Sequence, residues 1–122
     1  MGSVANKTVT DKQFTVNAAD DYFLGNQQSF SMNRYIISII DDNSFNGSIT
    51  IKARPQGTSV TPVGILYKPR YLNGSIGDEV PVNTAITTTS IIEVDASGLD
   101  IDVDCTSYTG GSATVYVSKL KG

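Results

Sequence analysis

The stretch IIEVDASGLDIDVDCTSYTGGSATVYV, residues 91–117, decides the fold class. Ile91, Ile92 and Val94 form a β-branched run, and Gly98 breaks it. Leu99, Ile101, Val103 and Cys105 then alternate with Asp100, Asp102 and Asp104. Tyr108-Thr109-Gly110-Gly111 turns the chain, and Val115 and Val117 close the stretch at a spacing of two. Successive side chains of a strand point to opposite faces, so period two predicts antiparallel sheet with one buried and one wet face. The three aspartates should then share the wet face of one strand, about 7 Å apart.

The same grammar extends outward from this segment. Arg34 to Ile40 (RYIISII) is the most apolar run and reads as a core strand, bounded by Asn33 and by Asp41-Asp42-Asn43. Phe45-Asn46-Gly47 predicts a turn, because Asn-Gly tolerates positive φ. Ile49, Ile51 and Ala53 alternate with Thr50, Lys52 and Arg54, which predicts a half-buried strand paired back on 34–40. Pro62 and Pro69 bracket an apolar segment, Val63 to Tyr67, and suggest a sheet edge, since proline donates no ladder hydrogen bond. Shorter strands are expected around Phe14–Ala18, Ser29–Met32 and Ala85–Thr88. Tyr22-Phe23-Leu24-Gly25 reads as an apolar patch leading into a turn, and residues 1–12 as a polar, aperiodic arm.

Composition agrees with strands. Val, Ile and Thr number 11, 12 and 13, against 5 Leu and 7 Ala, and β-branched side chains suit a pleated surface. A chain of 122 residues is one domain and long enough to bury a core without disulfide or metal. The expectation is an all-β protein with an N-terminal arm, 1–12, and a single antiparallel β-sandwich domain, 13–122. About eight short strands are expected, in jelly-roll or immunoglobulin-like order. Strand count alone does not separate a sandwich from a barrel.

Function is less legible. The chain has no histidine, which removes the usual general base, the triads built on it and the commonest metal ligand. No glycine-rich segment joins a strand to a helix in the manner of a phosphate loop. An enzyme is not expected, nor a cofactor. The net charge of −3 argues against nucleic acid, whose binding rests on neutralising phosphates. No apolar run reaches the roughly 20 residues of a membrane helix, and the N-terminus has no apolar core of a signal peptide. The single cysteine, Cys105, reads as a small buried hydrophobe.

Asp100, Asp102 and Asp104 invite a Ca²⁺ reading. An EF-hand loop starting at Asp100 needs glycine where Cys105 stands and glutamate where Gly111 stands, so that motif fails. A non-EF site between strands or at a subunit contact stays open, and the plainer reading is a solvated or basic-partner-facing side of a strand that discourages edge pairing.

From Gly47 to Val117 the chain resembles a β-sandwich module common in structural proteins of tailed bacteriophages. The resemblance lies in the order of Gly47-x-Ile49-x-Ile51-x-Ala53-Arg54, Pro62-Val63, Tyr67, Thr84-x-Ile86-Thr87, Ile92-x-Val94-Asp95-x-Ser97-Gly98-Leu99 and Val103-x-x-Thr106-x-Tyr108-Thr109-Gly110-Gly111. The module often carries tryptophan where Leu66-Tyr67 stands and arginine where Asp102 and Asp104 stand. The resemblance implies a capsid decoration, or cement, protein. Such a protein binds the outer surface of a phage head as a small homo-oligomer, a trimer by preference, with the major capsid protein as partner. It implies neither nucleic-acid nor membrane binding, and a place on the virion after synthesis in the host cytoplasm. The contact residues expected on this reading are Val4, Asn6, Lys7 and Thr8 in the arm, with Tyr22 and Phe23. The rival reading is a tail-fibre or adhesin module that recognises host glycan. A third is a binding domain unrelated to viruses, since many sandwiches share this grammar.

Overall fold

A computed structural model describes residues 7–9, 13–24, 34–42, 44–70, 77–95 and 98–120. Ten strands lie among them: β1 Lys7–Val9, β2 Gln13–Val16, β3 Asp21–Leu24, β4 Arg34–Asp41, β5 Asn46–Pro55, β6 Val63–Gly64, β7 Lys68–Arg70, β8 Ser90–Asp95, β9 Leu99–Gly110 and β10 Ala113–Leu120. They form two five-stranded sheets. Sheet A runs β1-β3-β9-β5-β6, and sheet B runs β2-β10-β4-β8-β7. All pairs are antiparallel except β1 with β3, which is parallel. The protein is an all-β sandwich.

The pairings settle which sandwich. Setting β1 and β7 aside leaves eight strands, and these pair from the outside inward: β2 with β10, β3 with β9, β4 with β8, β5 with β6. A long antiparallel ribbon folded over itself gives this order, which is the jelly roll. The immunoglobulin-like alternative is thereby set aside.

Alternation builds the core. Tyr22, Leu24, Ile49, Ile51, Ala53, Ile101, Val103 and Cys105 line the inner face of sheet A, and Val16, Tyr35, Ile37, Ile39, Ile92, Val94, Ala113, Val115 and Val117 line that of sheet B. Phe14 of β2 stacks on Tyr22 of β3 at 5.5 Å between centroids, tying the sheets together at one end. β9 passes to β10 through Gly111, at φ 76°. A Cβ there would fall 1.8 Å from the Ser44 carbonyl oxygen, so only glycine fits this turn.

Several expectations need correction. β5 does not pair back on β4. Asn46-Gly47 opens β5 rather than forming a hairpin, and β5 crosses to sheet A to pair with β9 along its length. Tyr22-Phe23-Leu24 is a strand, not a lead into a turn. Lys7–Val9, assigned to the arm, pairs with Tyr22–Leu24 as an edge strand. The segment 63–67 holds only two strand residues, and 85–88 only a bridge between Ile86 and Ile49. The expected strand at 29–32 lies outside the described residues. The prolines did mark edges: β6 ends sheet A, and β7, which contains Pro69, ends sheet B. No described helix is long and apolar enough to cross a membrane.

Candidate functional site

The aspartate row of β9 does lie on the outer face of sheet A, but that face is not wet. Asp102 is 0 % exposed, Asp100 is buried, and Asp104 is half-buried. The pairing explains this. β9 is the central strand of sheet A, so the row is flanked on both sides. On one flank Asp21 stands opposite Asp104 and Phe23 opposite Asp102. On the other, Thr50, Lys52 and Arg54 stand opposite Asp104, Asp102 and Asp100. The Arg54 guanidinium lies 3.9 Å over the Phe23 ring. Long basic stems and one aromatic ring thus roof the acid row.

The three aspartates have different fates. Asp100 accepts a hydrogen bond from the Gly57 amide at 3.1 Å and lies 3.7 Å from Arg54 Nε. Asp104 holds Lys52 Nζ at 2.8 Å. Lys52 is opposite Asp102 in register yet reaches diagonally to Asp104, and no amide, hydroxyl or basic group donates to either oxygen of Asp102. Oxygens of Asp21, Asp102 and Asp104 lie within 4.8 Å of one another. Thr50 Oγ1, on the far side of Asp104, is likewise buried without a partner.

Acceptor facing acceptor in a buried place is unstable unless a proton or a cation comes between. Burial first, then a hydrogen bond that the protonated carboxyl donates to Asp21, and the charges of Asp21 and Asp104, push Asp102 up to about 9, with Lys52 pulling the other way. Asp104 is also raised, chiefly by burial, against the opposing pull of Lys52. The Lys52 ammonium is held charged, mostly by its bond to Asp104. The chemistry open to this cluster is therefore to hold a proton at Asp102 or to take up a hard cation through oxygen ligands.

Sheet B offers a contrast. Glu93, on its outer face, is also buried, but Arg34 Nη1 donates to its Oε1 at 2.9 Å and Arg70 Nη2 lies 3.5 Å from its Oε2. A small cleft beside it is lined by Tyr67, Lys68, Glu79 and Asp95 as well. Its charges are of both signs, and Glu93 is paired within it by Arg34.

The expected contact residues fall as follows. Val4 and Asn6 lie outside the described residues, while Lys7 and Thr8 lie on β1. Tyr22 and Phe23 are 2 % and 4 % exposed. One ring packs on Phe14 and the other under Arg54, so neither is offered to a partner. Cys105 is buried as expected, and burial first, then the nearby Asp104 and Asp20 charges, push its thiol up to about 11. Sequence reasoning missed Asp21 and Thr50. Asp21 lies just past the strand expected around Phe14–Ala18, and Thr50 reads as one polar position in an alternation. Comparison with known protein families, curated proteins and solved structures finds no match.

Proposed function

We propose that this domain is an adhesive structural protein of a virus particle. It decorates the outer surface of a phage head, contacts the major capsid protein as a small homo-oligomer, and stabilises the shell by non-covalent contact without catalysing a reaction. The observation that carries the reading is an aliphatic surface at the β6 edge of sheet A. Val63 of β6, Val60 in the loop before it and Val82 remain 65 %, 52 % and 48 % exposed. Gly64 packs against Asn83, which brings the Val82 turn beside Val63. Single exposed valines are ordinary, but a group of them at an unpaired strand edge suits a protein contact.

Two further points support this reading. Jelly rolls recur in viral capsid and lectin domains, although fold alone does not choose between them. A sugar site favours exposed aromatic rings beside polar groups, and Tyr116 is the one strongly exposed large aromatic among the described residues, on the other sheet. The order of segments shared with phage modules points the same way.

Quantitative mass spectrometry on purified particles of the source virus tests the proposal. A copy number comparable with that of the major capsid protein is expected. A handful of copies would move the protein to the tail and revive glycan recognition, and none would remove both. Val63→Asp with Val82→Asp should weaken head binding about tenfold or more and change folding stability little, because both sites are exposed.

A further inference from the structure

We propose that Asp21, Asp102 and Asp104 form a binding site for one divalent cation, calcium by size and ligand chemistry, on the β3–β9 pair. The cluster alone would not carry this, since acidic groups often crowd without a ligand. The deciding observation is Asp102. Its carboxyl group is fully buried, has an oxygen within 4.8 Å of one from each of the other two, and is hydrogen-bonded by no amide, hydroxyl or basic group. A buried carboxylate is ordinarily paired, hydrogen-bonded or bound to metal. The side chain placed to pair with it, Lys52, is engaged by Asp104 instead. Thr50 Oγ1 adds a second buried oxygen without a partner at the border of the cluster.

Charge and size both fit. A cation entering the cluster displaces the Asp102 proton; three carboxylates and the Lys52 ammonium then sum to two negative charges, which one divalent ion cancels. Ca²⁺ takes oxygen ligands at about 2.3–2.6 Å, so ligand atoms around it stand up to roughly 5 Å apart. The oxygens here lie within 4.8 Å of one another. Ca²⁺ also tolerates irregular geometry and fills its shell with water, whereas Mg²⁺ demands a near-ideal octahedron. Ligands from two neighbouring strands suit the more tolerant ion. Binding would clamp β3 to β9, and through β3 would fix the parallel edge strand β1. The site stands whether or not the domain decorates a capsid.

The test uses the full-length chain, stripped with EDTA and titrated with CaCl2 by isothermal calorimetry and in thermal unfolding. NaCl at matched ionic strength is the control. One ion per chain is expected, with Kd on the order of 10⁻⁴ M for so few charged ligands. Tm should rise by roughly 5–10 °C at about one hundred times Kd. Asp102→Asn, whose amide supplies donors to Asp21, should fold and lose the Ca²⁺ response. Asp104→Asn is the second variant and should lose it too. Asp100→Asn, outside the cluster, should keep it. No binding heat and no Tm shift at millimolar Ca²⁺, a shift matched by NaCl, or an undiminished response in both Asp102→Asn and Asp104→Asn would overturn the proposal.

Discussion

Glu93 and Asp102, one buried carboxylate on the outer face of each sheet, are treated in opposite ways. Glu93 on sheet B has Arg34 and Arg70 beside it. Asp102 on sheet A has Asp21 and Asp104 beside it, and the one lysine in register bends away to Asp104. A charge removed from water needs a partner of opposite sign or it neutralises by taking up a proton. Sheet B meets that need from its own chain. Sheet A leaves it to a proton or an ion from solvent. The lesson is that a strand's polar face is defined by its neighbours across the sheet, not by its own alternation.

Removing what distinguishes the two sites should have the largest effect. Arg34→Ala with Arg70→Ala leaves Glu93 buried beside no cation, and should cost about 3 kcal/mol in chemical denaturation. Part of the full penalty is relieved because Arg34 is half exposed. A loss below about 0.5 kcal/mol would mean that Glu93 finds water easily and that the contrast is overdrawn.

Neutralising each carboxylate sharpens the comparison. Glu93→Gln gives up charge-assisted bonds and should cost about 1–2 kcal/mol at neutral pH. Asp102→Asn in metal-free buffer should be nearly neutral, within about 0.5 kcal/mol, because it replaces a carboxyl that already carries a proton. Equal losses at the two sites would break the comparison.

The pH dependence separates them more finely. Asp102 keeps its proton to about pH 9 in the folded chain and to about pH 4 when unfolded. The folded state therefore binds the extra proton between those values. This contribution to stability is complete below about pH 4, falls as pH rises, and is gone above about pH 9. Metal-free wild type should thus lose stability between pH 6 and pH 8 faster than Asp102→Asn, by up to about 1.4 kcal/mol per pH unit. Denaturation midpoints across that range, measured side by side, give the difference.

The sequence made some of this legible and hid the rest. β8, β9 and β10 fall close to the strands expected at 89–95, 99–107 and 113–119, although β9 runs on to Gly110 through residues read as a turn, because β-branched residues, period two and glycine breaks are local signals. Pro62 and Pro69 suggested a sheet edge and flank β6 and β7, one edge strand of each sheet, because a missing amide is also a local fact. Pairing is not local. Asn46-Gly47 spelled a hairpin, yet β5 gains more from burying Ile49, Ile51 and Ala53 against β9 in the opposite sheet. Lys7–Val9 has no alternation of its own and becomes a strand by joining the edge of β3. The candidate site was half visible. Asp102 and Asp104 stood out as a pair on one face, but Asp21 comes beside them only through the β3–β9 register, and the roof of Lys52, Arg54 and Phe23 only through the neighbouring strands.

The most direct test of this account is the protonation state of Asp102 itself. The carboxyl carbon of Asp102, assigned by comparison with Asp102→Asn, would be followed by ¹³C NMR from acid to alkaline pH in metal-free buffer. The account predicts a protonated carboxyl at neutral pH and a titration midpoint near 9. An ionised carboxylate at neutral pH in metal-free buffer, titrating near 4 as an ordinary aspartate does, would contradict it.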